Sequence, residues 1–145
     1  MHLLGRDAAS LAFARSLGFE ATDTLPDRPW DAIVDASNAA SLPALALDRV
    51  EPAGRLVYIG LAGAPSPIDT RALVLKDVTA VGILSASPGL AATIDAYADG
   101  VVDPRPLVAA TVGLDDVAGV LAGRRPDGAG PGPKVHVDPR VRRSP

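Results

Sequence analysis

The chain has 145 residues, 48% of them hydrophobic, a formal net charge of −3, no cysteine and two histidines. That length suits one domain burying roughly two-thirds of its unfolded surface, its apolar content excludes a disordered chain, and no apolar run approaches the ~18 residues that cross a bilayer. Disulfides and thiolate metal sites are excluded, His2 and His136 are too far apart for ligand spacing, and scattered arginines with few aromatics exclude a nucleic-acid face. Met1 is followed by neither a basic leader nor a cleavage site, so the expected compartment is cytoplasmic, with no membrane partner.

In chain order, short blocks of Val, Leu, Ile and Ala alternate with helical patterns of 10–15 residues, the rhythm of βα units around a mostly parallel sheet. His2–Leu4 reads as a strand, Asp7 caps a helix running to Leu17 with Leu11, Ala14 and Leu17 on one face, and Gly18 stops it. Glu20–Thr22 suits a short strand. "DAIVDAS", Asp31–Ser37, is nearly all apolar with polar ends, which predicts a central strand covered on both faces. A helix from about Ser41 to Val50 tolerates Pro43 in its first turn; "EPAGR" then ends it before a strand at Leu56–Gly60, and "LAGAPSP" is a loop.

Asp69–Leu75 predicts a short helix and Val78–Leu84 a strand. Ser87 as N-cap, Pro88 at the first helical position, Ile94 and Tyr97 among alanines, and Gly100 past the end mark the cleanest helix. After "VVDPRPLVAATV" comes a helix from about Leu114 to Ala122, then a Gly/Pro-rich connection, "RRPDGAGPGP", a last strand at "KVHV", and a tail. The expected organisation is one α/β domain over residues 1–138 with a frayed tail at 139–145, without internal repeat.

In this order, "DAIVDAS", "ALALDRVEPAGRLVYIGL", "VTAVGIL", "YADGVVDPRPLV" and "PKVHVDP" resemble the C-terminal cofactor-binding half of medium-chain, zinc-type alcohol dehydrogenases over nearly the whole chain. The resemblance implies a partial Rossmann-like, doubly wound, mostly parallel sheet in which His2–Leu4 is the second strand. The first strand and its G-x-G-x-x-G loop, which place backbone N–H groups and a helix N-terminus on the pyrophosphate, are then missing from the chain. "GAGPG", Gly128–Gly132, is no substitute, because its proline lacks an N–H and it leads into a strand. "GLAG", Gly60–Gly63, follows a strand but continues through Pro65 and Pro67 as an extended loop.

By that resemblance the cofactor is NADP or NAD. Gly5 stands where NAD-specific sites carry a carboxylate, and Arg6, beside Asp7, suits pairing with a 2′-phosphate, which points to NADP; the other reading is a solvated arginine and a helix cap. Ser37 and Asn38 fall beside the nicotinamide ribose, or serve only as turn residues. The backbones of Gly60, Leu61 and Ala62, and of Gly82, Ile83 and Leu84, fall against the carboxamide, and Lys134 near a phosphate or ribose, or free in solvent. Trp30 and His136 read as structural, and Asp35 as satisfied by backbone donors.

The family's reaction is hydride transfer between an alcohol or polyol and the nicotinamide, with zinc polarising the substrate oxygen. Its zinc ligands and proton relay belong to an N-terminal domain, so zinc is expected only in the full-length parent. The chain is then expected to be a truncated portion that binds cofactor weakly and carries no catalytic residue. The alternatives are a non-enzymatic domain pairing through exposed strand edges, with "VTAVGIL" as a homodimer edge, and part of a zinc-free quinone or enoyl reductase. A methyltransferase-like domain fails for want of a glycine-rich first loop.

Overall fold

A computed structural model describes residues 1–84 and 87–141. Contacts cluster into two compact units, one of residues Met1–Leu25 together with the chain from Ala91 onward, the other Pro26–Leu90. Both are α/β, and every strand pair is parallel.

In the first unit, β1 (His2–Leu4) pairs with β2 (Glu20–Thr22) across α1 (Ala8–Ser16). The helix starts where the Asp7 carboxylate accepts the Ser10 N–H at 2.7 Å, satisfying one of the donors a helix N-terminus leaves open. It stops at Gly18, whose φ of +87° a side chain would resist. Leu11 and Ala21 are buried between helix and strand, and the Arg15 guanidinium donates to the Ala21 carbonyl. Farther along are α4 (Leu90–Ala98), β6 (Val108–Val112), α5 (Val117–Leu121) and β7 (Lys134–Val137), with β6 paired to β7. A 3₁₀ turn at Ser87–Gly89 leads into α4, so the regular helix begins later than the Ser-Pro signal predicts. The capping role expected of the Ser87 side chain, and residues 142–145 of the expected tail, lie outside the described residues.

In the second unit, β3 (Trp30–Asp35), β4 (Val50–Tyr58) and β5 (Thr79–Gly82) form a sheet in the order β3-β4-β5, with α2 (Leu42–Arg49) and α3 (Thr70–Leu75) as crossovers. Ala46 and Leu47 of α2 pack with Val50 and the fully buried Leu56, and Ile33, Ile68, Leu73 and Val78 close around them. β3 does not take the central place its composition predicts. Among the described residues it pairs only with β4, and Val34 is 62% exposed. The middle strand is β4.

β4 also starts earlier than expected. "EPAGR" is not a terminator outside the strand: pairing runs from Trp30↔Val50 to Ala32↔Arg55, so the extra residues of β4 bulge out within it, with Ala53 at a φ of +62°. Lys76 holds this region, its ammonium donating to the carbonyls of Leu47, Asp48 and Val50 at the end of α2 while its own carbonyl accepts the Ala53 N–H.

Candidate functional site

Strands β3 and β4 end side by side, with Asp35 in register with Tyr58. Past that point the Asp35 carbonyl accepts the N–H groups of Ile59 (2.9 Å) and Gly60 (3.0 Å), so both chains leave the sheet together. The Asp35 carboxylate accepts the Ser37 N–H at 2.9 Å, and the Ser37 hydroxyl accepts the Ala39 N–H at 3.2 Å, two consecutive side-chain turns that shape the loop before α2. Asp35 is thus held by a backbone donor, as expected.

Gly60 is required by this crossing. A Cβ there would lie 1.7 Å from the Ser37 carbonyl oxygen, so the close approach that glycine permits is one of chain to chain. Gly82 differs, since a Cβ added there would meet nothing within 4 Å.

A cavity of about 210 Å³ opens at these strand ends, lined by Asp35, Ser37, Tyr58, Gly60, Ala62 and Ser66 together with apolar Ala39, Pro43 and Ile68. The Tyr58 hydroxyl is buried without a hydrogen-bond partner. Burial, and secondarily the Asp35 charge, push its pKa up, so at neutral pH it is a neutral phenol able to donate. A larger cavity of about 330 Å³ lies at the opposite ends of the strands, around Asp27, Asp48, Arg49 and Lys76. There Arg49 pairs with Asp27 and Asp48, and Lys76 is occupied by carbonyls. Open parallel sheets bind ligands outside the carboxyl ends of their strands, which favours the smaller cavity.

Of the residues singled out in the sequence, Ser37, Gly60 and Ala62 line that cavity. Asn38 is exposed beside it, Leu61 is 75% exposed, and Gly82 faces Tyr58 across β4 and β5. The Ile83 N–H donates to the Tyr58 carbonyl at 2.9 Å, and Leu84 is 84% exposed. In the other unit, the Gly5 N–H donates to the Thr22 carbonyl, Arg6 is exposed, and Asp7 caps α1. Lys134 is exposed on β7, opposite Val108. Trp30 carries the Arg28 guanidinium 4.1 Å from its ring centroid, and His136 is exposed in β7. Tyr58 was not visible as a site residue, because in "LVYIG" it reads as one more strand former; its only signal was a polar tip in register with an aspartate.

Among the described residues no three of His, Cys, Asp and Glu come together, so these residues form no donor set for zinc. Nor is any helix among them long and apolar enough to cross a membrane.

No protein-family model matches the chain, and no curated protein sequence matches it significantly. Solved structures do. 2R,3R-butanediol dehydrogenase from Bacillus subtilis superposes with a TM-score of 0.79 at 17% identity, over 96% of this chain and 43% of that one. A zinc-binding dehydrogenase from Sinorhizobium meliloti 1021, bound to NADP, gives 0.77 at 18% identity, over 94% and 44%. An alcohol dehydrogenase from E. coli CFT073, complexed with NADH, gives 0.75 at 20%, over 83% and 39%. The chain has the fold of part of a medium-chain, zinc-type alcohol dehydrogenase. It spans less than half the length of each of these three structures.

Proposed function

We propose that the chain is the nicotinamide-nucleotide-binding portion of a zinc-type, NAD(P)-dependent alcohol or polyol dehydrogenase. The observation that carries this reading is the superposition of 96% of the chain on 43% of the butanediol dehydrogenase. The cavity at the carboxyl ends of β3 and β4 supports it, since it lies where open α/β sheets take their ligands. Bound nicotinamide supplies hydride-transfer chemistry. Ser37 holds its ribose and the main chain of Gly60 and Ala62 its carboxamide end, with the buried Tyr58 hydroxyl available as a donor.

In the other unit, the turn at Gly5–Asp7 is proposed to set the preference between NADP and NAD. With Asp7 capping α1, the N-terminus of that helix already carries a carboxylate and does not suit a pyrophosphate, whereas exposed Arg6 suits the 2′-phosphate of NADP. Neither a glycine-rich phosphate cradle nor a zinc donor set is formed by the described residues. The chain by itself is therefore expected to bind cofactor weakly and to oxidise no alcohol.

Titration of the purified chain with NADPH and NADH, followed by thermal shift, tests this. Binding weaker than about 100 μM with NADPH preferred is the expected result. Low-micromolar affinity would contradict the weakened site, and a preference for NADH would contradict the role of Arg6.

A further inference from the structure

The sequence carries two Asp-Gly pairs, Asp99-Gly100 and Asp127-Gly128. In such a pair the glycine nitrogen can reach the aspartyl Cγ and close a succinimide ring, because no side chain on the glycine stands in the way. Closure needs a carboxyl group that is not held elsewhere and an amide N–H that is not already donated. The fold supplies both at one pair and withholds the second at the other.

Asp99-Gly100 ends α4. There the Gly100 N–H donates to the Tyr97 carbonyl at 3.2 Å and the Asp99 N–H to the Asp95 carbonyl at 2.8 Å, with Gly100 at a φ of +70° as the stop of the helix. Attack by the Gly100 nitrogen therefore waits for this last turn to open. Asp127-Gly128 instead fills the two middle positions of a turn that the Ala129 N–H closes on the Pro126 carbonyl at 3.1 Å, with Gly128 at a φ of +69°. Both residues are exposed, and among the described residues the Asp127 carboxylate has no hydrogen-bond or ion-pair partner and the Gly128 N–H no acceptor. The turn is anchored close by: the Gly130 N–H donates to the Ala109 carbonyl of β6 at 2.8 Å, and the Arg125 guanidinium donates to the Gly130 and Gly132 carbonyls.

We propose that Asp127 is a site of spontaneous isoaspartate formation and that the fold protects Asp99 from it. The Gly128 nitrogen bonds to the Asp127 Cγ while the carboxyl OH leaves with the amide proton as water. Water then adds to the main-chain carbonyl carbon of Asp127 and the bond from that carbon to the Gly128 nitrogen breaks. The chain now runs through the former side chain and the α-carboxylate is free. The water lost is regained, so no oxidant or other reactant enters. The product carries an extra methylene in the main chain of the turn, which displaces Gly130 from its anchor on β6. The inference needs no nucleotide, and failure of NADPH to bind leaves it standing.

The test ages the full chain at neutral pH, folded and in urea, and measures isoaspartate at each site by peptide mapping with electron-transfer mass spectrometry. In the folded chain it should build up about tenfold faster at Asp127 than at Asp99, and in urea the two rates should come within about twofold of each other. The Gly130 amide should exchange faster in the aged chain but not in aged Asp127→Glu, whose longer side chain closes a ring far more slowly. Equal rates in the folded chain, a faster rate at Asp99, or the same ratio folded and in urea would each overturn the proposal. The comparison of the two sites on the unaltered chain decides it even if the variant fails to fold.

Discussion

Between Pro26 and Leu90 a three-stranded sheet closes over Ala46, Leu47, Val50 and Leu56, whereas the other unit holds two separate two-stranded sheets with Leu11 of α1, Ala21 of β2 and Val112 of β6 buried. Two-stranded pairs are marginal without further packing, and this unit adds exposed carboxylate contacts: the Asp7 cap and the Asp103–Arg105 and Asp138–Arg140 pairs. The difference concerns what water can reach. A core cluster is insensitive to pH and salt, while exposed carboxylate contacts are screened and titrate.

The sharpest way to break that contrast is Leu56→Ala. Leu56 is fully buried on the middle strand, so truncation leaves a cavity and should cost about 3 kcal/mol, read as a lower urea midpoint for the unit. Gly60→Ala should cost about 2 kcal/mol, because the new Cβ drives the ends of β3 and β4 apart. The same variant should also weaken any cofactor signal at Ser37. Lys76→Met keeps the aliphatic stem but strips the donors from three carbonyls, and should cost about 1–2 kcal/mol. Tyr58→Phe should go the other way, stabilising the free chain by up to about 1 kcal/mol, since it removes a buried hydroxyl that lacks a partner.

The smallest effect belongs to the other unit. The carboxyls of Asp7, Asp103 and Asp138 are held below their ordinary value of 3.8, by Ser10, Arg105 and Arg140 respectively. A folded-state pKa below the unfolded one contributes stability that is present above 3.8 and is lost as pH falls through the folded value. Acid titration should therefore loosen α1 and the loops at Asp103 and Asp138 below about pH 4, with earlier hydrogen exchange there than in β4. High salt should blunt the two arginine-paired loops first.

Much of the architecture was legible where a local rule decides it. Asp7 and Gly18 mark both ends of α1, and the helix expected at Asp69–Leu75 forms as α3, with Asp69 as its cap. What could not be read depends on neighbours. The apolar run of β3 specifies a strand fit for a sheet interior, yet the number of its ladder partners is set by the rest of the sheet. Val50 to Gly54 looked like a break because of Pro52 and Gly54, and only pairing with β3 turns it into a bulge. β6 escaped because "VAATV" follows two prolines and is weakly patterned; β7 supplies its pairing. At the candidate site, the family resemblance names Ser37, Gly60 and Ala62, which line the cavity, whereas Tyr58 is set there by its register with Asp35.

The most direct test of the proposed role is to map amide NMR shifts while NADPH is added to the full chain. The account predicts small, saturable shifts at Ser37, Gly60 and Ala62, growing over a high-micromolar to millimolar range, and reduced in Gly60→Ala. Shifts confined to the opposite ends of the strands, around Asp48 and Lys76, or no shifts at the three amides at saturating cofactor, would contradict it.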